Sequence, residues 1–481
     1  MTEGVQRALE NDKQKVDLHL EDRISQLPDD VLVLILSFLT FKEATVTSVL
    51  SSRWTYLWTH YARLVFDYQE LYDDKEPYIY GRENYETKRV RYVNWVNRVV
   101  QLYRGSSIEE FCVRFDLGEG SECDVNKWLK FALAKRIQRL ELDLIGFLHN
   151  EKRPYIFSYQ LLAQSKCTTS NFCGMRPCTF VGFNTLKAIF LKNVNVGGGE
   201  VLEYFLSNCP VLEQMGVHYC EDLFNLKVVG PSLVLKQLEI CYCWEIKSIE
   251  IRNVNLVSLK VLGEDISFLL ENVPMLVDLN IDGRISKALT DIDGWISRSL
   301  TDVFAQFACC LSQLEILTLD THLYCIFEEN AEFDVSSKLT NLRKLVLVGV
   351  EIVHRFASLI KAAPYLKKLV LQIGWSTHDY HRNLFRTEKC VHQCLEEVEF
   401  FGYYGSAGDR ELVECLFENA IALKRIVIDA RNPLLPEGPC PESELETEKA
   451  ARNRAEQLKK IVPAGVELVI VDHMLENWEF E

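Results

Sequence analysis

A six-residue pattern, apolar-x-x-apolar-x-apolar, returns a dozen times along the chain and restricts it to very few architectures. Copies begin at Ile108, Ile137, Leu186, Leu212, Leu235, Leu256, Leu276, Leu314, Leu342, Leu366, Leu395 and Leu423. Successive starts lie 29, 49, 26, 23, 21, 20, 38, 28, 24, 29 and 28 residues apart. The last two apolar positions of each copy alternate as in a strand that buries one face. In one subset the recurrence is tighter. Pro210, Pro274 and Pro364 are followed at +2, +5 and +7 by Leu212, Met215 and Val217, by Leu276, Leu279 and Ile281, and by Leu366, Leu369 and Leu371. Proline closes the segment before it, and a helix is expected ahead of each, as at Val201–Leu206 and Phe356–Ile360. Such a unit cannot bury its apolar face alone and must stack on copies of itself. Chance clustering of leucines would not keep both the spacing and the proline offset.

The expected fold class is therefore α/β, a curved solenoid of alternating strands and helices. Most separations fall in the roughly 20–29-residue range of leucine-rich repeats. The gaps of 49 and 38 residues each leave room for a degenerate copy or an inserted loop. A chain of 481 residues is too long for one ordinary core, and its 48% hydrophobic and 25% charged content is that of a folded protein. A net charge of -16 argues against nucleic acid or an anionic membrane as the main partner. The first apolar run, Val31–Leu39, follows Asp29 and Asp30 in place of a basic export region. It is also far short of the roughly 20 residues that span a bilayer. A nuclear or cytoplasmic location is expected, with most of the sixteen cysteines reduced and buried as small hydrophobes.

Ahead of the repeats, residues 1–21 are polar and read as a disordered tail. Leu27-Pro28-Asp29-Asp30 then opens a helix, where proline loses no hydrogen bond and the aspartates meet the positive dipole end. Leu32, Ile35, Leu36 and Leu39 fall on one face of it, and Val31, Leu34 and Phe38 on a second. That is more apolar surface than so small a module needs for its own core. Either the helix is buried by its module and a partner, or it belongs to the core of a larger domain. Lys42-Glu43-Ala44 starts a second short helix running through Val49 and Leu50, and Trp54, Leu57, Trp58 and Tyr61 share one face of a third. A partner helix in the resulting groove is physically reasonable.

Asp22 to about Phe66 resembles the F-box in its plant version. The resemblance rests on Leu27-Pro28-Asp29, Ile35–Leu39, Lys42-Glu43-Ala44, Thr47–Ser51, Arg53-Trp54 and Leu57-Trp58. Thr45-Val46 departs from it, since a valine followed by a polar or basic residue is more usual there. The resemblance implies docking to a Skp1-like adaptor and, through it, to the cullin and RING subunits of a ubiquitin ligase. Leu27, Pro28, Leu32, Ile35 and Leu36 are the implied adaptor contacts, with Asp29, Val31, Leu39, Val49 and Leu50 beside them. Trp54, Leu57 and Trp58 are expected to hold the helices together. Several repeats, among them Asn208-Cys209-Pro210-Val211-Leu212-Glu213, are similar to those of plant F-box proteins, and Leu395–Ile428 resembles the FBD domain that follows such repeats. The implied organisation is an F-box over 22–67, a linker and leucine-rich-repeat solenoid over 68–390, and an FBD-like α/β cap over 391–475. Within it, 68–87 is expected as an exposed connection, Val90–Tyr103 as an amphipathic helix, 432–448 as a loop, 454–461 as a helix and Val466–Val471 as a closing strand.

Catalytic chemistry finds no foothold. Cys167, Cys173 and Cys178 have spacers of five and four, and Cys390, His392 and Cys394 form one compact trio. Neither matches the paired Cys-x2–4-Cys of a zinc site, so neither metal nor cofactor is expected. Lys88, Arg89 and Arg91 read as a solvated helix face. Gly197-Gly198-Gly199 lacks the Lys-Ser/Thr of a phosphate loop and reads as a turn. The expected function is a non-catalytic specificity subunit whose repeats hold a target protein of unknown identity. A binding scaffold acting outside the ligase is the alternative, and a cysteine or metal enzyme ranks below both.

Overall fold

The computed structural model describes residue 24 and residues 26–68, 82–145, 153–157, 184–285, 289–290, 296–298, 300–320, 326–327, 339–349, 357–375, 391–433 and 442–472. Fourteen parallel strands pair in chain order into one sheet. They are β1 (Arg63–Asp67), β2 (Glu110–Arg114), β3 (Arg139–Asp143), β4 (Ala188–Lys192), β5 (Gln214–His218), β6 (Gln237–Cys241), β7 (Ser258–Leu262), β8 (Asp278–Asp282), β9 (Ile316–Asp320), β10 (Lys344–Val348), β11 (Lys368–Gln372), β12 (Glu397–Phe401), β13 (Arg425–Asp429) and β14 (Glu467–Ile470). Each of the twelve repeat copies yields one strand, β2 to β13, beginning two residues after the copy begins. β14 lies within the expected closing strand. β1 obeys the same rule from Tyr61, Leu64 and Phe66, a copy hidden in the N-terminal module.

The register explains why the pattern is strict. Leu259, Leu279, Leu317, Leu345, Leu369, Val398, Ile426 and Leu468 are successive partners along the sheet. Val261, Ile281, Leu319, Leu347, Leu371, Phe400, Ile428 and Ile470 form a second file two residues on. A one-residue slip would turn both files away from the core.

How each repeat returns depends on its length. Separations of 26 residues or more accommodate helices such as Glu122–Ala134, Glu200–Asn208, Leu300–Gln306 and Ala407–Asn419. The three shortest repeats, of 20 to 23 residues, return instead as the strands Asn225–Val229, Ser248–Arg252 and Ser267–Glu271. These pair with one another in a second parallel sheet on the same core. The helix expected before Pro274 is therefore a strand. An extended chain covers the distance with about half the residues, at roughly 3.3 Å per residue against 1.5 Å. Neither long gap adds a strand to the large sheet, because β3 pairs directly with β4 and β8 with β9.

The N-terminal module contains α1 (Asp29–Leu36) and α2 (Phe41–Val46); the end of the expected second helix is 3₁₀ in form, Thr47–Val49, and so is the expected third, Trp54–His60. Thr40 caps α2 reciprocally with Glu43, whose carboxyl is held below its usual range by the hydrogen bonds to Thr40. The module is fused to the solenoid. β1 leaves it and pairs with β2, so position 67 is the end of the first solenoid strand. Phe66 lies 5.6 Å from Phe41, 5.1 Å from Trp95 and 5.6 Å from Phe111, ring centre to ring centre. Trp95 belongs to α3 (Arg82–Leu102), which begins inside the expected connection, and Tyr92 of α3 donates to the Phe66 carbonyl at 2.7 Å.

The sheet also crosses position 390 unbroken, and the FBD-like segment supplies its last three turns, β12 to β14. A helix, Glu442–Ala455, occupies part of the expected 432–448 loop and is followed by a 3₁₀ segment over Glu456–Lys460. Its core contacts are the small Ala451 and Ala455, a face too slight to stand out in the sequence. Among the described residues no helix is long and apolar enough to cross a membrane. Leu279→Ala is expected to cost about 2–5 kcal/mol. Asn280→Ala, on the open face of the same strand, should stay within about 0.5 kcal/mol. Urea unfolding of the full chain measures both.

Candidate partner-binding surfaces

The two faces of α1 separate cleanly. Leu32 and Leu36 are fully buried in the module, with Leu27, Val33 and Leu39 packed partly against the same core. Val31, Leu34, Ile35 and Phe38, at i, i+3, i+4 and i+7, form an exposed stripe, with Phe38 82% and Leu34 58% accessible. On the same module Val49 and Leu50 are 80% and 65% exposed. Leu32 and Leu36 therefore have no surface to offer an adaptor. The sequence divided the faces differently because Ile35 fits either one by spacing. Leu34 and Phe38, omitted from the expected contacts, carry much of the exposed stripe. Pro28 and Asp29 are exposed, and Val46 is exposed where a polar residue is usual.

The stripe is held rigidly. Arg53 donates to Asp29 Oδ1 at 2.5 Å and to the Leu27 carbonyl at 2.6 Å, clamping the start of α1. Tyr61 Oη donates to the Leu39 carbonyl at 2.7 Å, and Arg63 to that of Ser37. Trp54 and Leu57 are buried, and Trp58 meets Phe41 edge-on at 6.3 Å. Contiguous exposed apolar side chains on an ordered element mark a surface meant to be covered.

The open face of the large sheet is polar and charged near its start. Glu141 lies 3.2 Å from Arg114, 3.0 Å from Arg139 and 3.9 Å from Lys192. Burial by itself would raise the Glu141 carboxyl, but the three cations outweigh it and hold it below the usual range. Gly216 leaves room for the Phe190 ring, over which the Arg139 guanidinium sits at 4.5 Å. Farther along, Lys368 bridges Glu399 at 2.6 Å and Glu397 at 3.3 Å.

One rim of this face is unusual. The residue after β4, β5 and β6 is Asn193, Tyr219 and Tyr242, with φ of 56°, 54° and 57°. Each still extends the ladder through its N–H, to the carbonyls of His218, Cys241 and Leu262. Asparagine accepts this left-handed conformation readily, whereas a bulky aromatic is strained by about 1–3 kcal/mol. The Tyr219 and Tyr242 rings stack at 5.0 Å, and Trp244 lies 5.8 Å from Tyr242.

The remaining sequence candidates are structural where the structure describes them. His392 is buried, its Nε2 donating to the Ala363 carbonyl at 2.9 Å and its Nδ1 accepting from Cys394 and Leu395 N–H. Both ring nitrogens thus serve the backbone. Cys167, Cys173, Cys178 and Cys390 lie outside the described residues. Among the described cysteines, Cys112, Cys209, Cys220, Cys241, Cys243 and Cys310 are buried, and burial pushes the Cys209 thiol up to about 12. Gly197–Gly199 is a 3₁₀ turn whose entrance is occupied by Asp222, which accepts from the Val196 and Gly197 N–H at 2.7 and 2.8 Å. Those are the groups a phosphate would need. Arg89 pairs with Glu86 at 2.8 Å.

A family model described as At1g61320/AtMIF1, LRR domain, matches residues 105–473, and the F-box domain model matches residues 24–65. The chain belongs to the F-box/leucine-rich-repeat family. The Arabidopsis thaliana F-box/FBD/LRR-repeat protein At5g22660 is 25% identical over 84% of this chain and 89% of its own length. The FBD-associated F-box protein At5g38590 of the same plant is 25% identical over 85% of this chain and 93% of its own. A third Arabidopsis F-box/FBD/LRR-repeat protein, At5g62970, is 30% identical over 55% of this chain, a match spanning 62% of that relative.

Two outcomes follow for this F-box/leucine-rich-repeat chain. Leu34→Asp and Phe38→Asp should leave stability within about 0.5 kcal/mol of wild type, whereas Leu36→Ala should lose about 2–5 kcal/mol, as measured by thermal and urea unfolding. Glu141→Gln should destabilise by about 1–3 kcal/mol at pH 7, leaving three cations without their shared carboxylate. Because the folded carboxyl titrates below its unfolded value of 4.5, its contribution is present above that pH and lost as pH falls through the folded value. The gap between wild type and variant should therefore close under acid in unfolding titrations run across that window.

Proposed function

We propose that this chain is a substrate-recognition subunit of an SCF-type ubiquitin ligase. Proteins joining an F-box to leucine-rich repeats are generally non-catalytic adaptors of this kind, and F-box domains generally bind Skp1-like proteins. The observation that carries the reading is the ordered apolar stripe on α1. Val31, Leu34, Ile35 and Phe38 would enter the adaptor groove, with Pro28, Val49 and Leu50 contributing from the same module. Fully burying a side chain of this size stabilises a complex by about 1.5–3 kcal/mol, so a few anchors suffice for a stable contact. The cullin and RING subunits would join through the adaptor, in the nucleus or cytoplasm. The solenoid would hold the target, and the rate gain would come from proximity to the ubiquitin-charged enzyme.

Purified full chain should retain a purified Skp1-like adaptor in a pull-down, and Ile35→Asp or Phe38→Asp should abolish retention while the solenoid stays folded. Retention by wild type no greater than the background shown by both variants would leave the chain as a repeat scaffold acting outside the ligase.

A further inference from the structure

We propose that the aromatic rim of Tyr219, Tyr242 and Trp244 receives a basic segment of another protein, with Lys or Arg side chains resting on the ring faces. These residues follow two consecutive strands, β5 and β6, at the middle of the solenoid. Tyr219 is 41% and Trp244 49% exposed, although rings of this size are usually buried. The backbone under both tyrosines has left-handed φ, a conformation that the preceding repeat gives to asparagine. Strain kept at two successive positions, where a smaller residue would relieve it, points to a role for the rings themselves.

The charge around the rings selects the partner. In the segments 219–222, 242–245 and 263–265, directly after β5, β6 and β7, Glu221, Asp222, Glu245, Glu264 and Asp265 occur without a lysine or arginine, and Lys192, the cation at the end of β4 that acts on Tyr219, is paired with Asp143 at 2.8 Å. Burial first, then Asp320 and the neighbouring Tyr219, push the Tyr242 hydroxyl up to about 12. Ring faces present negative potential, so an acidic rim around stacked aromatics attracts cations and repels a phosphate backbone. The molecule already uses this chemistry on itself. The Arg284 guanidinium lies 5.7 Å from the Trp244 ring centre, held by Glu264 and Asp282 at 2.6 Å each. A partner's arginines would repeat that arrangement on the tyrosines.

The proposal goes beyond adaptor docking and does not depend on it, so the test uses the full chain alone. The probe is a fluorescein-labelled peptide of alternating Arg and Ser, followed by fluorescence anisotropy, beside an isosteric peptide with citrulline for arginine. Wild type should bind the Arg peptide in low salt and lose the citrulline one. Tyr242→Asn with Trp244→Ala should weaken binding about tenfold, the worth of two ring faces, one of them half-buried. Tyr219→Asn should also weaken binding while its thermal midpoint stays level or rises, which separates a binding role from a folding one. Glu411→Gln with Glu418→Gln, on the distant helix Ala407–Asn419, should bind as wild type. The proposal is overturned if wild type ignores the Arg peptide, or if citrulline binds as tightly. Equal loss in the distant variant, unchanged binding in the ring variants, or tighter binding of a single-stranded oligothymidine would overturn it as well.

Discussion

Everything in this molecule depends on two files of apolar side chains that run the length of one parallel sheet. Each strand gives two residues to the files, and each contribution is buried only because the next strand supplies the following member. Hydrophobic burial is therefore obtained between repeats and hardly within one. Register follows from the same requirement, since a slipped strand would expose both of its core residues at once. The side opposite the sheet has no such constraint. It is built from helices or from strands according to how many residues lie between successive copies.

That division of labour places the two candidate surfaces. The helical module cannot bury all the apolar area it carries. It meets the solenoid through Phe41, Phe66, Trp95 and Phe111, and that aromatic junction leaves the stripe on α1 facing outward. Because β1 is both the last segment of the module and the first strand of the sheet, the stripe is joined to the repeat surface without an intervening flexible linker. A target held on the repeats would then sit at a fixed position relative to anything docked on the stripe, the geometry that raises effective concentration.

The open face of the sheet is freer in composition, because its side chains do not fill the core. Alternate strand positions there carry the network around Glu141 and the pairs around Lys368, and such ion pairs specify shape more than they stabilise. The rim after the strands is freer still. After β4, β5 and β6 the backbone turns left-handed, and the choice of side chain records either ease of folding, as at Asn193, or something else, as at Tyr219 and Tyr242.

The sequence by itself determined the place and order of twelve strands and which of their residues face the core, because their period comes from burial and burial is written in residue type. It also marked α1 as a helix with more apolar surface than its module needs. It could not divide the faces of that helix, since Ile35 satisfies the spacing of either side until Leu32 and Leu36 are seen to pack inward. β1 was missed because its copy lies among the aromatics of the module, and the Glu442–Ala455 helix because alanines give a faint apolar face. Only the tertiary structure decided which repeats return as strands, and only it gathered Tyr219, Tyr242 and Trp244 on one acidic rim. Local periodicity specifies which residues a strand buries; neighbours on a surface are set by the stacking of repeats, which brings together residues more than 20 apart in the chain.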